Sequence, residues 1–407
     1  MFLEGSAIGG RMTRLLYETD PYLRKFDATV VKLQGEWVVL DRSAFFPGGG
    51  GQDHDIGWMG GLEVRSAKSQ ADEVFHQVPG NSFAVGDRLD CEIDWERRYD
   101  LMRGHTGEHL LFAMLSRLSP DIELVKIAIT PAKKSLMVRG QLNWQLAVQV
   151  QEQANEAIAA QLPVSDVWVS KESELIASVR IKVDRIHGDK VRIVSIGELD
   201  KAACAGVHIQ NTRELKMLLV TKLTSARPVG DYEIEFETGR QAMQTALRLS
   251  SIGLQAAETV RAQPEQLLSA LTNLKGELQM AQDALRSYGR QALARLEPEK
   301  AQGVRLYSGI FESLDKKTLV DSANDFVKED RTVAILASVD ERLMLIVATS
   351  KDLDLDSREV LNDGLKVVEG KGGGGKNFAS GGSNQAQKAK EALEAAKASL
   401  INRLAVA

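Results

Sequence analysis

The sequence predicts a multidomain α+β protein. Its expected parts are a β-rich, barrel-like N-terminal unit, an α+β domain, a helical arm and a small C-terminal α/β domain. The chain has 407 residues, which is too many for one ordinary hydrophobic core. Its composition, 43 % apolar and 26 % charged, is typical of a folded protein. The hydrophobic periodicity also changes three times along the chain, which indicates four segments of different structure.

Short alternating segments separated by glycines make up the first part of the chain. They run from Tyr22 to about Trp95 and include A-T-V-V-K-L and E-W-V-V-L-D-R. Alternation interrupted by glycine predicts β-hairpins. We therefore predict a β-rich domain with a glycine loop over residues 1–95.

Helical and strand-like segments alternate in the second part, for which we predict an α+β domain over residues 96–240. Asp94 is suited to cap a helix, and apolar residues then recur at helical spacing as far as Leu118. The runs K-I-A-I, S-L-M-V-R, V-R-I-V-S-I and L-K-M-L-L-V predict strands, and a helix is expected near residues 145–161.

The last two segments differ in pattern. Helix-forming residues continue almost without a break from Gln241 to about Leu296, which predicts a helical hairpin or coiled-coil arm over residues 241–300. Residues 301–407 alternate strand, helix and a glycine-rich loop, and they predict a small α/β domain.

Composition limits the cellular setting and the partners. With only two cysteines, Cys91 and Cys204, a disulfide framework is not expected, and the sequence predicts a reducing, cytoplasmic location without a membrane. The N-terminus lacks the pattern of a secretory signal, and we expect Met12, not Met1, to be the natural start. A formal charge of −5 argues against non-specific coating of nucleic acid but leaves room for a local basic groove.

Two pairs of metal-binding residue types share a spacing of four. His105 and His109 lie in R-G-H-T-G-E-H-L-L-F, so both rings can approach one point in front of a helix face. Cys204 and His208 lie in K-A-A-C-A-G-V-H, directly after a predicted strand. A thiolate with three imidazoles is a ligand set that zinc prefers, and together the two pairs predict one zinc ion per chain.

The sequence leaves two alternative zinc chemistries. The segment H-T-G-E-H fits the inverted metallopeptidase motif, with Glu108 as general base. Such peptidases need a downstream glutamate ligand, and the segment I-K-V-D-R-I-H-G-D-K at the expected distance contains none. A closed structural zinc with four protein ligands is the other alternative, but it would give the glycine loop no purpose.

That loop is A-F-F-P-G-G-G-G-Q-D-H-D-I-G-W-M, from Ala44 to Met59. Four consecutive glycines lose much backbone entropy on ordering, so they indicate close approach of the main chain to a ligand. The N–H groups of Gly49, Gly50 and Gly51 are candidate donors to a substrate oxygen, and Gln52 adds a donor and an acceptor. A wide hairpin turn is the structural alternative.

These segments together resemble a known family. L-L-Y-E-T-D-P-Y-L-R-K-F-D-A-T-V-V, the glycine loop, H-T-G-E-H-L-L and C-A-G-V-H are similar to the alanyl-tRNA editing proteins of the AlaX family, over residues 15–243. These are free-standing relatives of the editing domain of alanyl-tRNA synthetase. The segment K-V-V-E-G-K-G-G-G-G-K-N-F-A-S-G-G resembles the glycine-rich C-terminal domain of the synthetase, which marks the long form of the family.

The resemblance implies a residue assignment. The zinc ligands of the family fall on His105, His109, Cys204 and His208, and the glutamine of its glycine loop falls on Gln52. Where the family commonly has glycine after the cysteine and threonine before the last histidine, this chain has Ala205 and Val207. We expect the pocket near the metal to be slightly smaller and less polar as a result.

The resemblance also implies an activity. We expect a trans-editing hydrolase that deacylates seryl-tRNA(Ala) by zinc-dependent ester hydrolysis, with glycyl-tRNA(Ala) as a second candidate substrate. A site that hydrogen-bonds a hydroxyl discriminates against alanine, and Thr106 is a candidate for that contact, with a helix-surface threonine as the alternative. Whether zinc activates water or only shapes the pocket stays open, as does a catalytically silent tRNA-binding module with structural zinc.

The C-terminal glycine run has a misleading pattern. Residues 370–376, G-K-G-G-G-G-K, fit a phosphate-binding P-loop, but Asn377 follows where serine or threonine should bind Mg²⁺, so an NTPase is not expected. Lys371, Lys376 and the glycine amides are instead predicted to contact phosphates of tRNA. The C-terminal region is also where we expect contacts of a homodimer.

Overall fold

The computed structural model describes residues 13–180, 189–226, 230–312 and 314–406. The proposed start at Met12 therefore lies outside the described residues. The chain forms two compact units, Met1–Gly253 and Leu254–Ala407. The predicted mixed α+β, multidomain class is confirmed. The finer division into four domains stays a prediction.

The first unit begins with a β-rich segment. Its strands are β1 (Arg14–Leu15), β2 (Lys25–Gln34), β3 (Trp37–Leu40), β4 (Arg42–Ser43), β5 (Gly57–Met59), β6 (Leu62–Val64), β7 (Ser66–Gln70), β8 (Glu73–Gln77) and β9 (Arg88–Ile93). Seven of them form an antiparallel sheet in the order β6-β5-β9-β2-β3-β8-β7. Because only Arg65 separates the two edge strands in sequence, the sheet nearly closes on itself. In β9 the side chains alternate between exposed and buried, as the period-two pattern predicts.

A long buried helix follows this sheet. Helix α1 (Trp95–Leu118) begins where predicted, and the side chain of its N-cap Asp94 accepts a hydrogen bond from the Arg97 N–H. It packs on a four-stranded sheet in the order β10-β11-β16-β15, formed by β10 (Glu123–Ile129), β11 (Lys134–Arg139), β15 (Leu218–Ser225) and β16 (Asp231–Thr238). Helix α2 (Trp144–Ala159) packs beside α1, close to the position predicted for it.

A small sheet completes this part of the first unit. Strands β12 (Val164–Ser170), β13 (Lys190–Ile196) and β14 (Asp200–Ala203) pair antiparallel, and β14 contacts α1. The predicted strand L-K-M-L-L-V begins late, at Leu218. The preceding residues form a 3-10 turn, because Asn211 and Glu214 make a reciprocal capping box there.

The predicted arm contains two helices. Helix α3 (Gly239–Thr259) crosses the boundary between the units, and α4 (Leu267–Ala294) belongs to the second unit. A short 3-10 turn, Pro264–Gln266, separates them, because proline cannot continue the hydrogen-bond ladder of a helix.

The second unit contains a mixed six-stranded sheet in the order β17-β18-β19-β20-β22-β21. The strands are β17 (Glu299–Ala301), β18 (Val304–Glu312), β19 (Thr332–Val339), β20 (Leu343–Thr349), β21 (Lys371–Gly375) and β22 (Phe378–Ser383). Helices α5 (Lys316–Phe326), α6 (Ser357–Lys366) and α7 (Ala389–Val406) pack against this sheet. In the part of the chain that is described, no helix has the length and apolar character needed to cross a bilayer.

The predicted C-terminal glycine loop is wrong, because K-G-G-G-G forms edge strand β21. Glycine is uncommon in strands, so the sequence favoured a loop. Here a Cβ on Gly372 would lie 2.8 Å from both the Gly381 Cα and the Leu361 side chain, so α6 and β22 leave room only for glycine. A strand in place of a loop that opens a helix also agrees with the exclusion of a P-loop.

Candidate metal centre

Four side chains from three parts of the first unit converge at one point. His105 and His109 lie on one face of α1, Cys204 follows the end of β14, and His208 lies in the loop beyond it. Their candidate ligand atoms all lie within 4.8 Å of one another, so this group could bind a metal ion. The three imidazoles are buried and the thiol is half-buried. The structure thus brings together the four residues predicted from sequence as metal ligands.

Each imidazole is held by a hydrogen bond at its Nδ1 atom. The partners are the Gln52 Oε1 atom for His105 at 2.7 Å, the Asp200 carboxylate for His109 at 2.8 Å and the Thr106 hydroxyl for His208 at 3.1 Å. This arrangement leaves the Nε2 atoms for the centre, as is usual where histidine binds a metal.

The Cys204 sulfur lies on the Nε2 side of these rings. It is 3.5 Å from the Nε2 atom of His105 and 3.3 Å from that of His208. The Gly206 N–H donates a further hydrogen bond to the sulfur, at 3.4 Å. Three nitrogen ligands and one sulfur ligand facing a common point match the donor set and the coordination number that zinc prefers.

The electrostatics of the cluster favour a thiolate. Burial opposes ionisation of Cys204, but electrostatic interactions and hydrogen bonds with the surrounding imidazoles together outweigh burial and hold the pKa of the thiol well below its ordinary value. Burial also disfavours the charged form of His109, yet hydrogen bonds to Asp200 and Cys204 raise its pKa to about 10. A metal ion must therefore displace the His109 proton, so metal affinity is expected to fall as the pH falls.

Gln52 connects the glycine loop to this cluster. Its Oε1 atom accepts hydrogen bonds from the Val207 N–H at 3.1 Å and from the His105 ring. Because the Val207 N–H can only donate, the orientation of the Gln52 amide is fixed, and His105 must carry its proton on Nδ1. The Nε2 atom of Gln52 is buried and has no hydrogen-bond partner among the described residues. A buried donor without a partner indicates a place for an acceptor atom of a ligand.

The glycine loop forms a tight turn. Gly49 and Gln52 exchange two backbone hydrogen bonds of 3.0 Å, and the two central residues, Gly50 and Gly51, have φ angles of 59° and 94°. Positive φ at both central positions is what a type I′ turn requires, and glycine adopts it without strain. The N–H of Gly49 is used inside the turn, whereas those of Gly50 and Gly51 make no hydrogen bond within the described part of the chain. Of the three predicted donors, these two remain available.

A cavity of about 200 Å³ lies between the glycine loop, residues 15–18 and the β7–β8 hairpin. Its lining also includes Ala205, the residue that follows Cys204. Aromatic side chains, bare main chain and the acidic residues Glu18 and Asp72 contribute to its walls. A cavity of this size is large enough for an amino acid side chain with part of the group that carries it.

An ion-pair clamp attaches the loop to α1. Arg98 and Asp55, whose side chains are 0 % and 1 % exposed, form a buried ion pair. Asp55 also accepts a hydrogen bond from the Phe46 N–H, and Arg98 donates to the backbone carbonyls of Pro21 and Ala44. The clamp fixes both ends of the loop relative to the helix that carries His105 and His109.

The remaining predicted residues occupy different surroundings. Thr106 is fully buried, and its Oγ1 atom also accepts from the Ile209 N–H at 3.3 Å, so the helix-surface alternative is wrong. In the second unit, Lys371 is exposed in β21, and the Nζ atom of Lys376 is paired with Asp354 at 2.6 Å.

Sequence reasoning missed Asp200 and the close packing of Gly206 against His105. Asp200 lies four residues before Cys204, so a carboxylate at helical or turn spacing from a ligand was an available signal. Gly206 is packed so closely that a Cβ would lie 2.2 Å from the His105 ring, and no local pattern marks such a long-range contact.

Two family models match parts of the chain. The model described as threonyl and alanyl tRNA synthetase second additional domain matches residues 191–229, which contain Cys204 and His208. The DHHA1 domain model matches residues 306–402, which contain the glycine hairpin of β21 and β22.

Similar proteins are found among curated sequences and solved structures. The chain is 30 % identical over 389 residues to the alanyl-tRNA editing protein AlaX-L of Pyrococcus horikoshii, and the alignment covers 91 % of this chain and 94 % of that protein. It is 29 % identical to the alanine–tRNA ligase of Ignicoccus hospitalis, with 96 % of this chain but 43 % of the ligase covered. The C-Ala domain from Aquifex aeolicus alanyl-tRNA synthetase is 24 % identical, with 27 % of this chain and 97 % of that domain covered and a TM-score of 0.24.

The four-residue His/Cys cluster, together with the synthetase-derived domain matches, defines the class of proteins related to the editing part of alanyl-tRNA synthetase. Within this class, the likeness to the P. horikoshii protein extends over nearly the whole of both chains. The chain belongs to the AlaX family of alanyl-tRNA editing proteins, in its long form.

Proposed function

We propose that this aminoacyl-tRNA deacylase acts in trans on tRNA(Ala) mischarged with serine, with glycine as a second candidate amino acid. Gln52 is the observation that carries the proposal. It is bonded to the candidate ligand His105, belongs to the glycine turn, and keeps one buried donor without a partner in the described structure. An ester carbonyl brought to this place would supply the missing acceptor.

The residues of the chain have separable tasks in this account. The Gln52 amide and the N–H groups of Gly50 and Gly51 hold the carbonyl oxygen and stabilise negative charge on it. The clamp between Arg98 and Asp55 keeps these donors in place, which avoids reorganisation during the reaction. Zinc bound by the four ligands would supply polarisation of the ester or of the attacking water.

Choice of amino acid is assigned to a hydroxyl contact. A site that hydrogen-bonds the serine hydroxyl rejects alanine, because the analogue leaves buried polar groups unpaired. Thr106 stays the candidate for this contact, and its bond to His208 gives it a second task in orienting that ring.

Binding of the tRNA body is assigned to the second unit. We propose that Lys371, Lys376 and the glycine strand contact phosphates, and that an apolar stripe on α4 supports a homodimer. The stripe consists of exposed side chains at the three- and four-residue spacing of a coiled coil, namely Leu271, Leu274, Leu278, Leu285 and Tyr288. A cytoplasmic location is part of the same proposal.

Replacement of ligands tests the metal assignment. Wild-type protein is expected to contain about one zinc per chain, and Cys204→Ala or His109→Ala is expected to lose metal and seryl-tRNA(Ala) hydrolysis together. Metal content by atomic emission and hydrolysis of labelled seryl-tRNA(Ala) are the measurements, with Cys91→Ala as the matched cysteine control. Full zinc and normal hydrolysis in both ligand variants would refute the assignment, whereas zinc-loaded wild type without hydrolysis would favour the silent tRNA-binding module.

A further inference from the structure

Glu108 is a buried carboxylate for which the proposed function has no task so far. It lies on α1 between the candidate ligands, three residues after His105 and directly before His109. Its side chain is fully buried, and neither carboxylate oxygen has a hydrogen-bond partner among the residues that the structure describes.

A carboxylate in this state is unusual, because burial of a charge is costly unless the charge is paired. Other buried carboxylates of the same unit are paired. Asp55 is bonded to Arg98 and to a backbone N–H, and Asp200 is bonded to His109 and Arg180. Glu108 has no such bond among the described residues, and the His109 imidazole lies 4.0 Å away, beyond hydrogen-bond distance. The contrast indicates that a donor or cation held at the His/Cys cluster belongs beside Glu108.

The position of the carboxylate identifies what that partner is. The Glu108 Oε2 atom lies 4.0 Å from the Nε2 atom of His109. Because Asp200 holds the Nδ1 atom of His109, Nε2 is the nitrogen that faces the candidate metal position. Glu108 therefore approaches the cluster from the ligand side. The gap is too long for a direct hydrogen bond.

The net charge of the metal centre also points to Glu108. A divalent ion bound by one thiolate and three neutral imidazoles leaves one positive charge in a buried centre. The Asp200 carboxylate does not compensate it, because Arg180 already pairs with Asp200 at 3.1 Å. Glu108 carries the one negative charge that makes the centre neutral.

We propose that Glu108 is a positioning residue of the metal centre: its carboxylate balances the remaining charge of the bound ion and accepts a hydrogen bond from a water held beside His109. This inference rests on the proposed function, which supplies the ion and the need for a positioned water. It adds a fifth residue to the four ligands and gives the water an orientation toward the ester. No change in the four-ligand set is required.

Zinc affinity separates this role from a structural one. Glu108→Gln keeps the shape and removes the charge, so zinc affinity is expected to fall about 10- to 100-fold, as for other residues next to metal ligands. Competition with a chromophoric chelator measures this affinity. The visible spectrum of the Co²⁺-substituted protein is expected to change in band position or intensity.

Thermal stability gives a second readout, namely the rise in melting temperature on metal binding. In Glu108→Gln this rise is expected to be smaller than in wild type. Glu73→Gln is the matched control: Glu73 is buried with one unpartnered oxygen but pairs with Lys32 in the β-rich segment, and its replacement should leave zinc affinity unchanged.

The outcomes are distinguishable. A Glu108→Gln protein with wild-type zinc affinity, an unchanged Co²⁺ spectrum and the wild-type rise in melting temperature on metal binding would overturn the inference while leaving the proposed function intact. Wild-type protein that binds no zinc would overturn the metal centre itself. If Glu108→Gln does not fold, Glu108→Asp is the alternative variant, because it keeps the negative charge but moves it away from the cluster. It is also expected to weaken zinc binding, and unchanged zinc affinity in this variant would contradict the proposal.

Discussion

The Gln52 side chain holds neighbouring groups through one terminal atom and is proposed to bind the substrate through the other. The Oε1 atom holds His105 and the Val207 N–H, whereas the Nε2 atom is the buried donor without a partner in the described structure. A substitution that keeps the first task and removes the second is therefore available.

Gln52→Glu retains an acceptor for both neighbours but loses the donor. We expect this variant to keep about one zinc per chain while hydrolysis of seryl-tRNA(Ala) falls about 100-fold or more, since loss of one oxyanion donor costs roughly that factor. Gln52→Ala should differ by also losing stability, about 1–3 kcal/mol, because two buried donors are left unpaired. Metal analysis, single-turnover hydrolysis and thermal unfolding measure the three quantities. Normal hydrolysis by Gln52→Glu would remove Gln52 from the chemistry.

For individual residues, the sequence predicts which residue types form the site but not which groups hydrogen-bond to them. The pairs His105 with His109 and Cys204 with His208 are local, so their spacing is visible in the sequence. The contacts that orient them are not local: His109 is bonded to Asp200, and His105 to Gln52, across long stretches of chain. Only the fold brings these residues together.

Among the elements, the glycine loop is held to α1 by the buried ion pair between Arg98 and Asp55. Arg97 makes a similar but more exposed pair with Asp53, at 2.6 Å. The two arginines are neighbours on the same helix, which makes one a control for the other.

Arg98→Met should lower the free energy of unfolding by about 3–5 kcal/mol, because it leaves the Asp55 charge buried and unpaired. Arg97→Met should cost about 1 kcal/mol or less, because that pair is partly exposed to solvent. All five tryptophans precede Gly253, so tryptophan fluorescence in a urea titration reports on the first unit. Equal losses in the two variants would contradict the clamp.

The accuracy of element prediction follows the strength of local signals. Helix α1 has an N-cap and a long apolar period, and its start was predicted correctly. The strand of consecutive glycines was predicted as a loop, because its stability comes from pairing with β22 and from close packing under α6, neither of which is local. Propensity is overridden by tertiary contacts in such a segment.

For the molecule as a whole, binding of tRNA by an acidic chain requires basic groups at specific positions. The formal charge is −5, so a general attraction to RNA is not expected, and the second unit is proposed to supply local contacts. Contacts remote from the ester raise affinity without changing the chemical step.

Lys371→Ala in the full chain should therefore weaken tRNA(Ala) binding and reduce the salt slope of the binding constant by about one, while the single-turnover rate at saturating tRNA is unchanged. Lys317→Ala, which removes an exposed lysine of α5, is the matched control and should leave binding unchanged. Filter binding at several salt concentrations decides between them. Equal affinity and equal salt slope for Lys371→Ala and wild type would remove Lys371 from tRNA recognition.

We propose that this chain hydrolyses mischarged tRNA(Ala) through a zinc centre. Removal of the metal and its replacement test this claim. Catalytic amounts of the full chain are treated with chelator, assayed on seryl-tRNA(Ala) and alanyl-tRNA(Ala), and assayed again after one equivalent of zinc. We expect turnover of the seryl ester that disappears with the metal, returns with it, and far exceeds turnover of the alanyl ester. Multiple turnovers by metal-free protein, or none by protein that holds one zinc per chain, would contradict the claim.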